Sequence, residues 1–131
     1  MISIEIPGIP VSWKAHAGYG RKSFNPLYKE RAMVQWYASQ QTSEFLEGPI
    51  HVYYEFHLPI PKSFSKKNRA LAISGELCHT KKKDCTNIIK FVEDAIKGLL
   101  FEDDAQVVSG KFKKLYSENP RTIIRLSEFK F

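Results

Sequence analysis

The chain has 131 residues, one domain's worth of sequence and too few for two full cores. Hydrophobic residues make up 43% and charged residues 26%; these are globular proportions that exclude a disordered tail or a fibre. No apolar run approaches the ~20 residues that span a bilayer. Lys and Arg outnumber Asp and Glu by 20 to 14, a net charge of +6.

The opening residues alternate Ile2, Ile4 and Ile6 and stop at Pro7-Gly8, which predicts a short strand rather than a secretory leader. Residues 10–26 mix Gly, Pro, cations and aromatics and read as a basic loop in which His16, Tyr19, Arg21 and Lys22 can grip a nucleic-acid strand or simply form a loop. From Pro26 to about Thr42 the spacing of Leu27, Ala32, Met33, Trp36 and Tyr37 predicts a helix, with Asn25-Pro26 as its cap and first turn. Ile50, Val52, Tyr54, Phe56 and Leu58 alternate with His51, Tyr53, Glu55 and His57, a strand whose polar face is a satisfied sheet surface or a dimer contact.

Residues 63–73 predict a short basic helix, with Lys66, Lys67 and Arg69, closed by Ser74-Gly75. A further helix begins at Thr86 or Asn87, keeps Ile88, Phe91 or Val92, Ala95 and Leu99 in helical register, and ends at Gly98. Its polar stripe is Asn87, Lys90, Asp94 and Lys97. After Glu102-Asp103-Asp104, strands near 106–116 and 121–129 complete an order β-α-β-α-α-β-β. The expected architecture is a single α+β domain, one mixed sheet packed by helices.

The charge is concentrated. Residues 62–90 hold eight cations and two acids, the net charge of the whole chain. A polyanion-binding face concentrates charge in this way, and without a long amphipathic helix a nucleic acid fits better than a membrane. Asp84, behind Lys81-Lys82-Lys83, and Asp103-Asp104 bracket the last helix. Carboxylates beside phosphates repel them unless a hard cation lies between. Mg²⁺ takes such oxygen ligands, polarises a phosphate and lowers the pKa of an attacking water, while a lysine such as Lys90 neutralises developing charge. A helix of ~12 residues holds its ends ~18 Å apart, so spacing alone does not join these carboxylates.

Simpler roles exist for the same residues. Asp84 near a helix start suits the helix dipole, Thr86 suits an N-cap, and Lys90 with Asp94 suits a surface pair. Lys81–Lys83 read as phosphate contacts rather than a solvated run. Cys78, His79 and Cys85 lack a fourth ligand at finger spacing, so zinc is disfavoured; Cys85 suits the core and His79 an approach to DNA. Two cysteines without CxxC spacing indicate a reduced, cytoplasmic protein.

The run Lys82-Lys83-Asp84-Cys85-Thr86-Asn87-Ile88-Ile89-Lys90, then Glu93-Asp94-Ala95, Gly98 and Asp103-Asp104-Ala105-Gln106-Val107-Val108, resembles the RusA family of Holliday junction resolvases. Their pattern is a basic stretch, D-x-D-N-x-x-K, a helix carrying a D-A pair, and D-D-x-Q-[IV]-V. The strand ends Ile6-Pro7-Gly8 and Glu55-Phe56-His57-Leu58-Pro59 and the insert from Pro61 to Lys67 extend the likeness over most of the chain. The resemblance implies a homodimeric, Mg²⁺-dependent endonuclease (Mn²⁺ being an alternative ion) of phage or prophage type, acting on four-way DNA junctions in recombination and repair without a small-molecule cofactor. It implies Asp84 and Asp104 as catalytic metal ligands with Asp103 beside them, Lys90 as the functional lysine, and Asn87 as the motif asparagine. DNA contacts would come from Lys66, Lys67, Arg69, Lys81, Lys82, Lys83, Arg21 and Lys22. Asp94 and Thr86 would have supporting places. The departure is Thr86, where the family has a second aspartate; a binding protein with weakened cleavage is the alternative. A basic RNA-binding module has only charge in its favour, with neither an RNP strand nor a GXXG loop. Size also argues for two copies: a globule of this length is ~36 Å across, about ten base pairs, enough for one arm of a junction.

Overall fold

The computed structural model describes residues 1–14 and 27–130. Its elements are β1 (Ile2–Pro7), α1 (Tyr28–Gln41), β2 (Ile50–Pro59), α2 (Lys66–Ser74), α3 (Cys85–Ile96), a single 3₁₀ turn (Asp104–Gln106), β3 (Val107–Ser117) and β4 (Arg121–Glu128). The order matches the α+β expectation. The four strands form one sheet in the order β1-β4-β2-β3. β2 and β3 run parallel, joined through α2 and α3, while β4 is antiparallel to both β1 and β2.

Alternation determines which face is buried. Ile2, Ile4 and Ile6, then Val52, Tyr54 and Phe56, then Ile124 and Leu126, share one core with Val34 and Ala38 of α1 and Ile88, Phe91, Val92, Ala95 and Ile96 of α3. Roughly 25 cal/mol per Å² of buried apolar surface makes this layer of helices on sheet the main stabilising feature. A smaller cluster beyond the end of the sheet, Ile60, Ala72 and Tyr116 with Phe64 and Leu77, docks α2.

Helix boundaries shift for local reasons. α2 starts at Lys66, not 63, because the Ser65 hydroxyl accepts the Asn68 N–H and caps the first turn. α3 starts at Cys85 with Asp84 at the N-cap, so Thr86 stands inside the first turn and is not the cap. The first described residue of α1 is Tyr28, preceded by Leu27; the Asn25-Pro26 cap lies outside the described residues, as does the 15–26 part of the basic loop with His16, Tyr19, Arg21 and Lys22.

The other sheet face holds a polar network. Glu55 accepts from the Tyr53 hydroxyl at 2.5 Å and faces His57 Nε2 at 2.7 Å, while His51 Nδ1 lies 2.9 Å from Ser109 Oγ. This is the satisfied surface expected for that strand. Burial alone would raise the Glu55 carboxyl, but the bonds from Tyr53 and His57 and the charge of Lys113 outweigh it and hold the group below its ordinary value of 4.5. A depressed carboxyl stabilises the fold above its unfolded pKa, and that contribution disappears as pH falls through the folded value. Glu55→Gln should therefore lose about 1 kcal/mol at pH 7, with the difference from the parent closing below pH 4.5. Urea midpoints at pH 7 and in acid check this; an equal deficit at both would contradict it.

Candidate functional site

The segment leading into α3 is held from three sides. Lys83 has φ of 90°, the only positive φ outside glycine among the described residues, and this left-handed turn redirects the chain into Asp84. Its Nζ donates to the Pro10 carbonyl at 2.7 Å, and its burial pulls the ammonium below its usual range. Lys114 of β3 donates to the carbonyls of Lys81 and Lys83, each at 3.0 Å. The Trp13 N–H donates to the Asn87 carbonyl at 2.9 Å, and the Lys90 ammonium lies 3.6 Å from the centre of the Trp13 ring. Lys90 thus sits on an aromatic face, a cation–π contact of about 0.5–2 kcal/mol.

Asp84 is exposed, and its side chain makes no capping bond although it occupies the N-cap position. The simple capping role is therefore not the one its carboxylate plays; it is free for another ligand. Thr86, Asn87 and Lys90 are exposed beside it, and Asp94 is half-buried further along the helix. Lys66, Lys67 and Arg69 of α2, with Lys81 and Lys82, are exposed as well. Because α2 docks on Tyr116 and Lys114 holds the 81–83 loop, these cations collect at the C-terminal end of β3, with Asp84. Cys85 packs against the core, where burial raises its thiol. The His79 ring packs on Tyr116 with centroids 4.6 Å apart, and its Nδ1 is buried without a hydrogen-bond partner.

Asp103 and Asp104 stand at the other end of α3. Asp104 pairs with Lys97 at 3.7 Å, one residue past the helix. Its negative charge, after burial, helps raise the Glu93 carboxyl, which accepts the Tyr54 hydroxyl at 2.9 Å. Burial and the Glu93 and Asp104 charges push the Tyr54 hydroxyl far above its usual value. Asp103 is engaged in a capping box: its Oδ1 accepts the Ala105 N–H, and Gln106 Oε1 accepts the N–H groups of Glu102 and Asp103. Gln106 Nε2 in turn donates to the carbonyls of Leu46 and Gly48. Of the two aspartates, Asp104 has the freer carboxylate. Gln106→Ala removes four bonds that fix this loop and should cost about 1–3 kcal/mol; an unchanged urea midpoint would show that the loop is held by something else.

α3 spans 12 residues, or about 18 Å, between Asp84 and the Lys97–Asp104 pair. The structure therefore joins Asp84 to Lys90, Asn87 and the basic cluster, and joins Asp104 to Glu93, but does not join the two groups. Among the described residues, no three His, Cys, Asp or Glu side chains gather closely enough to hold a metal ion, zinc included. One chain alone does not offer the carboxylate set that Mg²⁺ takes. Lys114, Trp13, Gln106 and Glu93 were not singled out by the sequence reading. Three of them act across 30 or more positions, where no local pattern marks the contact; Glu93 had a signal, its place beside Asp94 in the motif helix.

Comparison with known proteins agrees with this arrangement of residues. The family model described as Endodeoxyribonuclease RusA matches residues 20–127. A Bacillus subtilis (strain 168) protein described as "Uncharacterized protein YqaN" is 40% identical over 94 residues, covering 70% of this chain and 66% of the relative's own length. No described helix is long and apolar enough to cross a membrane.

Proposed function

The chain belongs to the RusA endodeoxyribonuclease family, and from that premise we propose that it is a structure-selective endonuclease cutting four-way DNA junctions in recombination and repair. It acts in the cytoplasm as a homodimer of phage or prophage type, uses Mg²⁺ or Mn²⁺, and needs no small-molecule cofactor. The observation that carries the reading is the motif order inside the matched span: Asp84, Asn87 and Lys90, then Asp103-Asp104 and Gln106-Val107-Val108.

The chain's own residues support distinct parts of this activity. Exposed Lys66, Lys67, Arg69, Lys81 and Lys82 meet phosphates, and each contact adds to the salt dependence of binding. Lys83 positions the loop through Pro10 rather than reaching outward. Lys90, held over Trp13, presents a fixed positive charge toward the negative charge that grows on the phosphate during hydrolysis. Water oxygen bonds to phosphorus and the 3′ oxygen leaves, giving 5′-phosphate and 3′-hydroxyl ends.

A second reading is a junction-binding protein that does not cut. Thr86 in place of the family's aspartate favours it, as does the separation of Asp84 from Asp104 in one chain. Competition among a synthetic four-way junction, a linear duplex and an RNA hairpin at matched salt tests the substrate class shared by both readings. The junction should be retained at competitor levels that displace the other two. Equal affinity for the RNA hairpin would overturn both.

A further inference from the structure

The two ends of α3 carry opposite charge. Around Asp84 gather Lys66, Lys67, Arg69, Lys81 and Lys82, whereas the stretch from 93 to 104 holds Glu93, Asp94, Glu102, Asp103 and Asp104 against Lys97 alone. Each end has half of the carboxylates named by the motif. Two carboxylates sharing one Mg²⁺-sized ion must bring oxygens to about 2.1 Å from it, which a helix ~18 Å long forbids when they flank it.

Lys114 touches the residues before α3 and Asp104 touches the residue after it, so α3 and β3 run in opposite directions. β3 is also the edge of the sheet, with a neighbour on one side only. A two-fold axis crossing the middle of β3 reverses both elements together. It places the basic Asp84 end of one copy against the acidic Asp104 end of the other, twice. Phe112 lies near that midpoint, pairs in register with Tyr54 and therefore shares its helix-side face, yet is 54% exposed. An exposed phenyl ring at the axis meets its own mate in an isologous contact.

We infer that the divalent-cation site is shared between two copies of the chain: Asp84 of one protomer with Asp104 of the partner subunit, the copies meeting along the α3–β3 side through Phe112. The inference rests on the nuclease reading for the identity of the carboxylates, and on the structure for their separation. It makes each chain incomplete as a metal site and the dimer complete in two places.

The test combines Asp84→Asn and Asp104→Asn. Each variant homodimer lacks one carboxylate at both sites. A heterodimer of the two, isolated through different tags on the two chains, has one site with both carboxylates and one with neither. Mn²⁺ alone, followed by electron paramagnetic resonance without DNA, should bind tightly to the heterodimer at half the parent's stoichiometry and at least about tenfold more weakly to either homodimer. The heterodimer should also nick a junction in one strand only. If both carboxylates acted within one chain, the heterodimer would bind Mn²⁺ no better than the homodimers, and the inference would be overturned. A parent that sediments as a single chain at micromolar concentration would overturn it equally. Phe112→Glu should shift the parent toward monomer while circular dichroism stays native; an unchanged dimer mass would move the interface elsewhere and contradict the packing. A parent that cuts junctions while the heterodimer stays inert refutes sharing and leaves the nuclease reading intact. Restored Mn²⁺ binding without any DNA cleavage does the reverse.

Discussion

Asp84→Asn should reduce phosphodiester cleavage by on the order of 10³-fold while junction affinity holds or rises. A group that takes part in metal-assisted transition-state stabilisation contributes several kcal/mol, and each 1.4 kcal/mol is a factor of ten. The substitution removes charge and little else. Asp84 is exposed and its carboxylate bonds to no helix N–H, and Asn is as good an N-cap as Asp. Stability should therefore change by less than about 0.5 kcal/mol, the range of ordinary surface substitutions. Near Lys81, Lys82 and Lys83, one carboxylate fewer means less repulsion of phosphate, hence the retained or tighter binding. Nicking rates, gel shifts and urea melts on the same protein separate the three effects. Cleavage within a few-fold of the parent would remove Asp84 from the site.

The second large effect is on stability. Phe101 is fully buried in the main core and its backbone bridges to both Leu46 and Lys97. Its carbonyl accepts the Gly98 N–H at 2.6 Å, so it anchors the loop that delivers Asp103 and Asp104. Phe101→Ala should cost about 3–5 kcal/mol by leaving a cavity, a large share of the 5–15 kcal/mol typical of a domain. The melting temperature should fall by roughly 10–25 °C. A loss below about 1 kcal/mol would mean that the 97–106 loop collapses onto the vacated space and is not pinned by this ring.

Much of the fold is legible before any coordinate. Ile2-Ile4-Ile6 and Ile50 to Leu58 alternate because one sheet face meets helices and the other meets water, and this alternation is a local signal. The helical spacing of Ile88, Val92, Ala95 and Ile96 is equally local, and all four are buried. The ends of helices are less legible. Thr86 and Asp84 are both good caps by type, and the choice between them follows from the left-handed turn at Lys83 and its tether to Pro10, 73 positions away.

The candidate site divides in the same way. Asp84, Lys90 and Asp103-Asp104 stand out as residue types at motif spacing, whereas their mutual distances depend on how α3 lies against β3. Lys114 acts on carbonyls 31 and 33 positions earlier, and nothing in a lysine-rich strand distinguishes that lysine from Lys113. The separation of the carboxylates follows from the length of α3, and what brings them together across two chains has no trace in the order of residues.

The most direct measurement is incision of an end-labelled synthetic four-way junction by the parent protein, with Mg²⁺ and with chelator. The family membership and the arrangement around α3 predict paired, symmetric nicks in opposite strands, present with Mg²⁺ and absent with chelator, and no cutting of the matching linear duplex. A junction that is bound but left intact at every Mg²⁺ or Mn²⁺ concentration would contradict the assignment as an endonuclease.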